Sequence, residues 1–210
     1  MRKATRVVAS LFGIFAGFGG PEHGYFEILQ GNVKPSSIMI NSIGPPCQAD
    51  KVWHLCEPAM TVIPSFLVTG ILATVIGLIT MIWAAAFVQK KNGGVVLILL
   101  SIALLLVGGG LFPPVIGIVA GVVATKIKAP LARQRMHLSG SVLRFLAKLW
   151  PWPLVGFFVW VFGQFVVGYF FNEFLQKSGF LIPLLIIGLL VLSILTGYAY
   201  DLHDGDRVAV

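Results

Sequence analysis

The sequence predicts an all-α integral membrane protein, a bundle of six transmembrane helices, or of five if one broken segment is a single span. Three observations predict it. Of 210 residues, 57% are hydrophobic and only 11% charged, against about 25% charged in soluble domains. Apolar stretches of about 20 residues recur, the length a helix needs to cross a hydrocarbon core about 30 Å thick. Lys and Arg gather in short segments between them, as cytoplasmic loops do. Little chain remains for a soluble domain, so residues 1–210 read as a single membrane domain. The net charge of +7 is explained by topology. No basic, aromatic-interleaved run marks a nucleic-acid surface, and no nucleic-acid partner is expected.

The first span is predicted over 7–30. Val7 to Gly20 alone makes only about 21 Å of helix, so crossing requires the segment that follows, GFGGPEHGYFEILQGN. Pro21 should kink this helix or start a second one. An outer loop follows over 31–60 and a second span over 61–88. The next apolar run, 95–125, is broken by GGGLFPP, residues 108–114, and Gly and Pro punctuate helices. It is either one kinked span or a hairpin of two short helices, 95–112 and 114–128, turning at Phe112-Pro113-Pro114. Charge favours the hairpin. With it, 12 of the 15 Lys and Arg lie inside (Arg2, Lys3, Arg6, Lys90, Lys91, Lys126, Lys128, Arg133, Arg135, Arg144, Lys148 and Arg207), and only Lys34, Lys51 and Lys177 lie outside. A single span would place nine outside. Spans over 153–171 and 180–200 complete the chain, with both termini cytoplasmic in an inner membrane.

Basic residues crowd the cytoplasmic loop 126–149. Within it SGSVLRFLAKLW, from Ser139, reads as an interfacial amphipathic helix. Lys126, Lys128, Arg133, Arg135, Arg144 and Lys148 suit anionic lipid headgroups, and Trp150 and Trp152 mark the boundary. The tail, with Asp201, Asp204 and Asp206, reads as solvated, with a divalent-ion or salt-bridge site as the alternative. Cys47 and Cys56, in the outer loop, suit a disulfide in an oxidising exterior, with two unpaired thiols as the alternative.

The ionisable groups after Gly20 are the candidate site. His23, Glu27 and Gln30 recur at i, i+4 and i+7 and so share one face, with Glu22 beside them. Intramembrane ionisable groups usually turn toward the protein interior. Topology adds His54, Glu57 and Glu173 on the same outer side. The functional reading makes Glu22, His23, Glu27, Gln30 and Glu173 a proton or ion site, with His23, Glu27, His54 and Glu57 as a speculative metal set. The plainer reading is the wet end of a helix, and a third makes the N-terminus a signal peptide with a poor cleavage site. The pairs Gly13/Gly17, Gly20/Gly24 and Gly117/Gly121 mark close packing faces.

The stretches HGYFEILQGN, EPAMTVIPSFLVTGILA and NGGVVLILLSIALLLVGGGLFPP resemble an uncharacterised group of small prokaryotic polytopic membrane proteins. The likeness covers about residues 3–127. It implies an inner-membrane protein and supplies no activity, substrate or cofactor. No GxSxG, HExxH, Walker A or Rossmann motif is present. The broken hairpin points to a small permease, channel or transport accessory, since interrupted helices free backbone groups for ions. An ordinary tight turn is the alternative. A membrane-embedded metal-dependent enzyme and a structural or assembly subunit with a membrane partner are the competing functions.

Overall fold

The computed structural model describes residues 3–41, 57–129 and 139–208, the side chains of 204–208 excepted. Cys47, Lys51, His54, Cys56, Arg133 and Arg135 lie outside the described residues, as do the side chains of Asp204, Asp206 and Arg207. The chain is mainly helical: α1 (Lys3–Leu29), β1 (Met39–Asn41), β2 (Pro58–Met60), α2 (Phe66–Ile82) with a π-helical turn (Trp83–Phe87), α3 (Gly93–Leu106), α4 (Phe112–Ala124), α5 (Gly140–Leu149), α6 (Trp152–Phe170), α7 (Asn172–Lys177) and α8 (Leu181–Val208). Among the described residues three helices are long and apolar enough to cross a membrane, Phe66–Phe87, Trp152–Phe170 and Leu181–His203. α3 and α4 are apolar but, at 14 and 13 residues, reach only about 20 Å each.

The helices group into two compact units. One holds the described residues of Ala9–Ala49 and His54–Thr125. Its α1 runs unbroken through Pro21, where a kink or a new start is expected. The reason lies in the neighbour. Pro21 has no N–H for the Gly17 carbonyl, and that oxygen faces Gly77 of α2, at a point where a Cβ would collide with it. Gly24 and Gly70 meet backbone to backbone in the same way. Two helices this close satisfy a loose carbonyl with Cα–H contacts. Beyond Leu29 the chain turns through Gly31, at φ +75°. The carbonyls of Gly31 and Val33 then accept the Leu67 and Phe66 N–H groups at 2.9 Å, donors that the start of α2 leaves without helical partners.

α3 and α4 pack as a hairpin, with Gly94 against the Gly121 backbone and Gly117 against the Ser101 side chain. The turn is not at Phe112-Pro113-Pro114, as the prolines suggest. It occupies Val107–Leu111, and α4 begins at Phe112 with proline in its first turn, where the missing N–H costs no helical bond. β1 and β2 pair antiparallel, Ile40 opposite Ala59, so the chain is not wholly α. Such short strands carry no alternation that would announce them.

The other unit holds the described residues of Met1–Val8 and Lys126–Val210. α5 forms where the amphipathic stretch predicts it, with Ser139 as its N-cap, and it and α6 pack on α8 around Phe157, Val161, Leu190 and Ala199, all buried. The tail is not wholly solvated, because α8 continues through it. Asp201 is 6% exposed and accepts bonds from the Ala4 N–H (3.0 Å), the Thr5 N–H (2.8 Å) and the Thr5 hydroxyl (2.6 Å). A carboxylate at a helix N-terminus satisfies orphan donors and opposes the helix dipole. Here the cap comes from another helix.

Candidate functional site

The buried face of α1 reads Phe12, Ala16, Gly20, His23, Gly24 and Glu27, the three-to-four spacing of a helix stripe. Its last turns exchange apolar for ionisable side chains without leaving the interior. Glu27 has no exposed surface and His23 is 2% exposed. Tyr25 and Leu29, on the opposite side, are exposed. The inward orientation expected of His23 and Glu27 is therefore observed. Gln30 and Glu22 are half-buried, and the Gln30 amide donates to the Phe26 carbonyl at 3.5 Å.

A glycine turn walls the site. Gly108 and Gly110 stand at φ +92° and +84°, conformations that L residues with a Cβ rarely adopt. Space demands glycine as well. A Cβ at Gly108 would sit 2.6 Å from Glu27 Oε2, and one at Gly110 would sit 2.7 Å from His23 Nε2. The turn is stitched down from several sides. Gly108 N–H donates to Met60 O (2.8 Å), Gly109 N–H to Leu104 O (2.9 Å) and Gly110 N–H to Gly108 O (2.8 Å). Thr61 bridges to Val107 in an antiparallel pair. The buried Thr69 hydroxyl donates to Val107 O at 2.8 Å and pairs with the Thr61 hydroxyl.

All three glycine N–H groups are thus spent on backbone carbonyls, and the turn offers Glu27 only Cα–H. Neither carboxyl oxygen of Glu27 has a hydrogen-bond partner among the described residues. Burying even a neutral polar group unpartnered costs about 1–3 kcal/mol, and a lone charge far more. The packing helices bring no countercharge, since α2, α3 and α4 contain no ionisable residue. His23 has one: its Nε2 lies 3.4 Å from Oε2 of Glu57, whose side chain is 28% exposed. A groove of about 640 Å³, lined by Gln30, Lys34, Asn41, Pro58 and Phe66, opens one turn beyond Glu27 and one residue after Glu57.

The structure thus brings together His23, Glu27 and Glu57 of the expected residues. Glu173 belongs to the other unit, exposed in α7 and 3.4 Å from Lys177. No three His, Cys, Asp or Glu among the described residues are placed to hold a metal ion, and His54 of the expected metal set lies outside them. Lys126, Lys128, Arg144 and Lys148 are exposed. Sequence reasoning missed Gly108, Gly110, Thr61 and Thr69, although the triple glycine was a visible signal of a turn. No protein-family model matches the chain, nor does any curated protein or solved structure.

Proposed function

We propose that the protein is a small multi-pass inner-membrane permease or transport accessory whose ion site is Glu27 with His23. One observation carries this reading: a fully buried carboxyl with no hydrogen-bond partner among the described residues, pressed on a glycine turn between two short helices. Polar groups retained at such a cost inside a membrane protein mark ion or proton pathways. The interrupted hairpin α3–α4 is the kind of element that lines them.

In this reading α1, α2, α3, α4, α6 and α8 cross the membrane, α3 and α4 as a thin hairpin. Both termini are cytoplasmic. The bond of Asp201 to the first turn of α1 supports an even number of crossings, because it holds the beginning of α1 and the end of α8 at one level. The one-sided distribution of Lys and Arg supports the cytoplasmic assignment. Arg144 and Lys148, exposed on α5, face anionic lipid headgroups.

The test is flux in proteoliposomes holding the purified full chain, with a pH dye for protons and sodium or rubidium tracer for alkali cations. Glu27→Gln and His23→Ala are expected to abolish the ion-dependent signal at unchanged yield of folded protein. Flux retained in both variants refutes the site.

A further inference from the structure

We infer that the ligand of this site is the proton, entering through Glu57 and His23 to Glu27. The inference rests on the transport reading and specifies its cargo. A metal or alkali cation needs several oxygen or nitrogen ligands around it, whereas a proton needs one acceptor atom. The surroundings of Glu27 fit the second requirement. The N–H groups of Gly108, Gly109 and Gly110 are bonded away from it, and the Gly108 and Val107 carbonyls already accept bonds from Gly110 and Thr69. β1, β2, α2, α3 and α4 contribute no titratable side chain. No titratable side chain of these elements therefore faces Glu27; His23 lies on its own stripe one turn away, with Glu57 as the partner of His23.

These three form a graded series. Side-chain exposure falls from 28% at Glu57 to 3% at His23, and Glu27 has none. A proton on the Glu57 carboxyl passes to His23 Nε2 across the 3.4 Å gap. The imidazolium so formed then loses a proton to the Glu27 carboxylate, one turn along the same face. Only O–H and N–H bonds break and form, and each transfer moves one positive charge inward. Glu27 ends neutral, the state that oxygens without a partner among the described residues tolerate. On release, the proton leaves and the carboxylate is restored.

The test uses dicyclohexylcarbodiimide, an apolar reagent to which a protonated carboxyl adds to give an acylurea without loss of any atom. The full chain in vesicles is treated with it, or with a water-soluble carbodiimide, and mapped by mass spectrometry. Glu27 should be modified by the apolar reagent alone, less so as pH rises, and sodium or rubidium should not protect it. Proton flux should be lost on modification and in Glu27→Gln, and slowed in Glu57→Gln, whose half-exposed position spares the fold. Tracer flux of sodium or rubidium that requires Glu27, with protection by that cation, overturns the proton assignment and leaves the transport reading standing. Selective modification of Glu27 with no flux of any ion keeps the protonated site and overturns transport. Unaltered flux in Glu57→Gln overturns the entry route.

Discussion

Among the described residues two carboxyl groups are buried, and their housing could hardly differ more. In the unit formed by α5 to α8 and the start of α1, Asp201 is almost completely enclosed and accepts three hydrogen bonds. In the unit formed by the rest of α1, the two strands and α2 to α4, Glu27 is more deeply enclosed and accepts none among the described residues. The first carboxylate closes a helix end and needs nothing more. The second stands against Cα–H groups, with no described donor for its lone pairs. Burial alone therefore does not distinguish the two carboxyls, whereas the donor count does.

Substitutions can break this comparison. The largest effect is expected at Asp201→Ala, which removes a charged acceptor from three donors and should lower stability by about 3 kcal/mol, read as a lower unfolding temperature in detergent. A loss under about 1 kcal/mol would make the clasp no more than a surface contact. Gly108→Ala comes next. It forces a Cβ into a left-handed conformation costing about 1–2 kcal/mol, and drives it into the Glu27 carboxyl. Much of the loss should disappear when Glu27→Ala is added, and a double-mutant cycle measures that coupling. The smallest effect on stability, with opposite sign, is expected at Glu27→Met. Replacing an unpartnered polar group by an apolar one of similar volume should leave stability unchanged or raise it by about 1 kcal/mol, while ion flux is lost. Destabilisation by Glu27→Met comparable to that of Asp201→Ala would show that both carboxyls are structural.

Much of the local arrangement was legible in the sequence. The i, i+4, i+7 spacing of His23, Glu27 and Gln30 placed a polar stripe on one face, and its first two members do turn inward. The amphipathic stretch from Ser139 gave α5, and the glycine pairs marked the faces where helices touch. What escaped was tertiary. Gly108 is 81 positions from Glu27, and nothing local says that a glycine turn closes over that carboxyl. The prolines misplaced the turn because Pro both ends helices and begins them, and here the glycines at positive φ make the reversal. Pro21 was expected to kink α1 or to start a second helix; α1 continues through it, and the freed Gly17 carbonyl faces a close partner helix. Asp201 was assigned to water by its polar neighbours. Its partners are the first backbone amides of a helix nearly the whole chain away.

That distance sets an order of events in biogenesis. While the ribosome is still translating, the amides of Ala4 and Thr5 at the start of α1 stay uncapped, 197 and 196 positions ahead of their acceptor. Asp201 is synthesised only after α2 to α7 and most of α8 have been made. The start of α1 is thus completed by the end of α8, and a product stalled before Asp201 lacks the acceptor for these amides.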